Sequence, residues 1–74
     1  MIWNVYSVQD TMIGFGAPYI KVNEEVAKRD YKNFLKVEPN RADMRLFKVG
    51  TFDDATGTII PIIPECIEGG LTDE

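Results

Sequence analysis

The sequence has no histidine and only one cysteine, Cys66. The first absence removes the commonest metal ligand and the commonest general base together. The second rules out an internal disulfide and makes a reducing compartment the simpler setting. No apolar run approaches the ~18 residues that mark a membrane-spanning helix, and no basic segment leads into a hydrophobic stretch as a signal peptide would. A soluble, non-secreted, cytoplasmic protein is therefore expected. No nucleophile–base pair is recognisable, so no enzyme, cofactor or metal is expected either.

Basic residues are missing from both ends. Residues 1–20 carry one charge, Asp10, and residues 49–74 carry six acids (Asp53, Asp54, Glu65, Glu68, Asp73 and Glu74) with no base. All eight basic residues fall in 21–48: Lys21, Lys28, Arg29, Lys32, Lys36, Arg41, Arg45 and Lys48. Five acids are interspersed there, and the chain as a whole carries −4. A basic middle beside an acidic end raises the question of a polyanionic partner.

At 74 residues and 45% hydrophobic content, the chain suffices for one small domain with a thin core. Ile2 to Val8 alternates and is β-branched and aromatic, which predicts a strand with Trp3, Val5 and Ser7 on one face and Asn4, Tyr6 and Val8 on the other. Apolar bulk on both faces predicts a central position. Gln9 to Tyr19 is a connection punctuated by Gly14, Gly16 and Pro18. Its Gly-Phe-Gly lacks the helix start and the lysine of a phosphate-binding loop. Tyr19 to Val22 is expected as a short second strand.

Asn23 to Val37 reads as the only helix. Asn23 suits the N-cap, Glu24 and Glu25 complement the first turn, and Pro39 ends it. Val26, Ala27, Tyr31, Phe34 and Leu35 form one apolar stripe. The opposite face presents Lys28, Lys32 and Lys36 four apart, with Arg29 and Asn33 beside them. Such a face is either a solvated exterior or a ridge that contacts phosphates.

Met44 to Phe52 alternates, Asp53 to Gly57 is turn chemistry with Gly57 suited to positive φ, and Thr58 to Ile63 is apolar and β-branched. Together they predict a β-hairpin. Asp53 and Asp54 lack the spacing of a calcium loop and are best read as turn residues. Pro61 and Pro64 deny ladder donors, which predicts an edge strand that soon leaves the sheet. The expected fold is α+β, a small, mostly antiparallel sheet of about three or four strands with one helix on one face, in the order β-(β)-α-β-β. Residues 1–64 form this domain and 65–74 a flexible acidic tail. Trp3, Tyr6, Phe47 and Phe52 exceed what one helix covers, so the other sheet face is expected to associate with a second copy or a partner.

The chain resembles the small nonstructural protein of gokushovirus-type microviruses, which are single-stranded DNA phages. The resemblance rests on a strand with an aromatic and Tyr (Ile2 to Val8), a loop ending Ala17-Pro18-Tyr19, and a helix with Ala27-Lys28-Arg29-Asp30-Tyr31 and Phe34. The hairpin Leu46-Phe47-Lys48-Val49-Gly50-Thr51-Phe52-Asp53-Asp54-Ala55-Thr56-Gly57, followed by an Ile-rich strand and proline, is the most telling part. The segment Glu38 to Asp43 keeps the Pro and Asp of the related loop but not its His. The resemblance implies a phage protein in the bacterial host cytoplasm that binds single-stranded DNA and serves replication or the switch to single-stranded genome synthesis and packaging.

Two readings follow. In the first, an oligomeric single-stranded DNA binder uses Lys28, Arg29, Lys32, Lys36, Arg41, Arg45 and Lys48 for phosphates, and Trp3, Tyr6, Phe47 or Tyr31 for stacking. In the second, the chain is an interaction module that docks on a host replication protein or a capsid precursor through its exposed sheet face.

Overall fold

The computed structural model describes residues 1–69. In chain order it contains β1 (Ile2–Asp10), β2 (Gly14–Phe15), β3 (Tyr19–Lys21), α1 (Glu24–Leu35), a 3-10 turn (Arg41–Asp43), β4 (Met44–Asp53) and β5 (Thr58–Glu68). The α+β expectation holds in outline, with one helix on a mostly β framework. The strand inventory differs, because there are five strand segments rather than three or four.

The sheet is antiparallel throughout. β1 is central, with β4 along one edge and β2 and β3 sharing the other, and β5 lies outside β4. β1 meets β4 along its whole length, from Ile2 opposite Asp53 to Asp10 opposite Met44, and the register shifts once, between Val5 and Tyr6. The extra residue is Val49. It lets Gly50 face Val5 while Lys48 faces Tyr6.

α1 forms as its sequence dictates. Asn23 is extended (φ −160°) and its side chain accepts from the Val26 amide at 2.9 Å. Glu24 and Glu25 occupy the first turn. Ala27 and Tyr31 face the sheet and are buried against Tyr6, Leu46 and Met44, with Val8, Tyr19, Leu35 and Ile67 closing the margins. Tyr31 spends its hydroxyl on the Met44 carbonyl at 2.8 Å, so a polar tip in the core is satisfied. The opposite sheet face is partly covered by the chain's own loop. The Ser7 hydroxyl donates to the Gly16 carbonyl at 2.8 Å, and Phe15 meets Phe47 edge-on with ring centroids 5.1 Å apart.

The hairpin turn is as expected. Gly57 takes φ +74° and its amide donates to the Asp53 carbonyl at 2.8 Å. The strand after it is a correction. β5 does not leave the sheet at its prolines but continues to Glu68, with Cys66 opposite Phe47 and Glu68 opposite Leu46. Register shifts on β5 absorb the prolines: Pro61 pairs with Gly50 and Glu65 with Lys48, leaving Ile62, Ile63 and Pro64 against Val49 alone. The sheet therefore runs past the boundary expected at residue 64. Of the predicted acidic tail, residues 70–74 lie outside the described residues.

The molecule extends 39 × 21 × 20 Å. A helix of 12 residues is about 18 Å long, so α1 covers only part of the sheet. The outer strand β5 leaves Ile59, Ile60 and Ile63 more than half exposed.

Candidate nucleic-acid interface

The outer face of α1 brings four of the predicted basic residues together. Lys28, Arg29, Lys32 and Lys36, with Glu25 and Asn33, line an open groove of about 460 Å³. The helical period puts 28, 32 and 36 in one row and sends the apolar stripe to the sheet. The four cations are not equivalent. Lys28 lies 3.3 Å from Glu24 and 3.8 Å from Glu68. The Glu24 hydrogen bond, with the Glu24 and Glu68 charges behind it, pushes the Lys28 ammonium above its ordinary range. Arg29 Nε stands 3.5 Å from Asp30 Oδ1. Lys32 and Lys36 are exposed and have no ion-pair partner among the described residues.

The other predicted phosphate contacts lie elsewhere. Arg41 sits in the 3-10 turn beyond the helix and donates to the Glu38 carbonyl at 3.1 Å. Lys48 is half-buried on the helix-covered sheet face, in register with Tyr6 and Glu65. Arg45, next to the core residues Met44 and Leu46, points to the opposite face and is half-buried.

The predicted stacking residues separate as well. Tyr6 is a correction: it is wholly buried in the core, its hydroxyl accepts from Asn4 at 3.1 Å, and burial pushes its phenol up. It offers no face to a base. Tyr31 is likewise core. Trp3 and Phe47 are half-buried on the sheet face away from α1, where Trp3 donates its indole N–H to Asp54 at 2.8 Å and Phe47 packs on Phe15. The aromatic sheet face and the basic helix ridge are thus on opposite sides of the sheet, and one stretch of nucleic acid lying along the ridge does not reach Trp3 or Phe47.

A second concavity adjoins the ridge and was not singled out from sequence. It holds about 420 Å³ between α1 and the β2–β3 connection, with walls from Val8, Ala17, Tyr19 and Phe34 and with Lys21 and Asp30 beside them. Lys21 Nζ lies 2.6 Å from Asp30 Oδ2 and 5.4 Å from the centre of the Tyr19 ring. The Lys21 hydrogen bond is the main reason the Asp30 carboxyl sits below its ordinary 3.8. The available signal was Phe34. It lies at the margin of the apolar stripe, and it is 37% exposed where a core residue would be covered.

The model of one protein family, Phage ORF5 protein, matches residues 3–72, nearly the full chain. The chain belongs to the Phage ORF5 protein family. It is therefore a phage protein, and the match spans every element of the fold, including the helix ridge and the hairpin. No curated protein and no solved structure shows a match to this phage protein. Among its described residues, no helix is long and apolar enough to cross a membrane.

Proposed function

We propose that this phage protein binds single-stranded DNA in the cytoplasm of the infected bacterium. Its place would be in genome replication, or in the switch to single-stranded genome synthesis and packaging. The observation that carries the reading is the row of Lys28, Lys32 and Lys36 on the outer face of α1, with Arg29 beside it and Lys32 and Lys36 without ion-pair partners among the described residues. A ridge of this kind releases counterions when phosphates replace them, so its affinity falls steeply with salt. The resemblance to the gokushovirus-type nonstructural protein supports the same role, and membership of a phage family is compatible with it. The role is binding rather than catalysis. Arg41, Lys48 and Arg45 contribute at most to the surrounding field. Exposed Ile59, Ile60 and Ile63 on β5 support self-association of the hairpin ends.

The test is fluorescence anisotropy with a labelled single-stranded oligonucleotide over a range of salt. Binding with a steep negative salt slope is expected. Reversing Lys28, Lys32 and Lys36 together to Glu should weaken binding and flatten the slope. An unchanged affinity and slope would overturn the assignment to α1.

The same exposed isoleucines favour a second reading, a protein-docking module that meets a host replication protein or a capsid precursor through the hairpin end. Absence of DNA binding at low salt, with a viral or host protein retained by the wild type and lost on Ile60→Asp, would establish that reading instead.

A further inference from the structure

We infer that the pocket between α1 and the β2–β3 connection receives an unstacked base of the bound single strand, while the neighbouring ridge holds its phosphates. This rests on the DNA-binding reading and adds to it the place where bases are met.

Position is the first argument. Asp30 and Phe34 line the pocket, and their chain neighbours Arg29 and Asn33 line the ridge groove. Asp30 joins the two, with Lys21 on one carboxylate oxygen at 2.6 Å and Arg29 near the other at 3.5 Å. A strand whose phosphates follow Arg29 and Lys32 therefore has a concavity beside it, one helical face away. The sheet face that carries Trp3 and Phe47 lies on the other side of the sheet from this ridge.

Chemistry is the second. Tyr19 and Phe34 supply aromatic surface, and Val8 and Ala17 supply apolar walls, in a space of about 420 Å³, within the range of small-molecule sites. Into this apolar space reach one ammonium and one carboxylate, 29% and 35% exposed. The Lys21 ammonium has three N–H donors, of which Asp30 takes one, and the carboxylate accepts through both oxygens. A nucleobase offers what such a site takes, a flat face to lie on an aromatic ring and an edge carrying both donors and acceptors. An aliphatic ligand would leave the remaining Lys21 donors and Asp30 lone pairs covered without hydrogen bonds. A simple anion would meet the Asp30 charge.

The test compares an oligothymidylate with an abasic sugar-phosphate strand of equal length, on the wild type and on Phe34→Ala, by anisotropy at several salt concentrations. Far-UV circular dichroism checks that the variant is folded. The wild type is expected to prefer the base-bearing strand by about tenfold. Phe34→Ala should lose that preference, keep its affinity for the abasic strand and keep the salt slope. A wild type that binds both strands equally, or a variant that retains the preference, overturns the pocket and leaves the ridge reading standing. A wild type that binds neither strand overturns both.

Discussion

Lys28 Nζ, in the basic row of α1, lies 3.8 Å from Glu68 Oε2 at the end of β5. Glu68 thus stands beside the residues that would hold phosphate. A carboxylate at this distance competes with an incoming anion for the same ammonium. Removing its charge in Glu68→Gln should raise affinity for a single-stranded oligonucleotide by up to about fivefold at low salt, and less at high salt, since exposed pairs are weak and screened. Anisotropy titrations at two ionic strengths measure this. Unchanged affinity at low salt would mean that Glu68 does not compete with phosphate for Lys28.

Gly50 is required by close approach rather than by backbone conformation. A Cβ built there would stand 2.6 Å from the Ile60 carbonyl oxygen and 3.5 Å from the Pro61 Cα, both main-chain atoms of β5. Gly50→Ala should destabilise the fold by about 1–3 kcal/mol through the forced shift of β5. Urea denaturation provides the reading. Gly57→Ala should cost less or a similar amount through its φ of +74° alone, because nothing lies within 4 Å of its Cβ position.

The core is small enough that one side chain matters. Leu46 is fully buried between Tyr6, Tyr31 and Ala27, and Leu46→Ala should cost about 2–5 kcal/mol. The N-cap is a separate lever. Asn23→Ala removes the acceptor for the Val26 amide and should cost about 1 kcal/mol.

The Lys21–Asp30 pair makes acid stability predictable in sign. Asp30 titrates below its ordinary 3.8, first because Lys21 donates to it and then because of the Lys21 and Arg29 charges. A depressed carboxyl pKa contributes stability that is complete above the unfolded value and is lost as pH falls through the folded one. Thermal melts of the wild type and Asp30→Asn should therefore differ by a constant amount from neutral pH down to about 4, and converge below it. A difference that grows on acidification would contradict the pairing.

Much of the local structure was legible because it is chosen locally. Asn23, Glu24 and Glu25 mark the start of α1, Pro39 marks its end, and Gly57 marks the turn. The alternation of β1 also correctly separated Trp3 from Tyr6. Which of those two faces α1 would cover was not legible, because both carry apolar bulk and the choice is made by tertiary packing. For that reason Tyr6 read as a stacking residue and proved to be core. The length of β5 was hidden by Pro61 and Pro64. Proline is tolerated on an edge strand, and the register shifts that accommodate it have no sequence signature. Four cations of the site were legible as a helix row. Their separation from Trp3 and Phe47 was not, since it depends on which side of the sheet the helix takes.

The central position of β1 also bears on how the protein is made. It leaves the ribosome well before its main partner: Ile2 pairs with Asp53, and Asp10 with Met44. Only the short β2 and β3 segments are synthesised in time to shield the other edge. Chain growth at roughly 5–20 residues per second therefore leaves the β4-facing edge of an aromatic, β-branched strand open for seconds. Yield of folded protein should consequently respond more to translation speed between residues 22 and 53 than to the strength of the finished core.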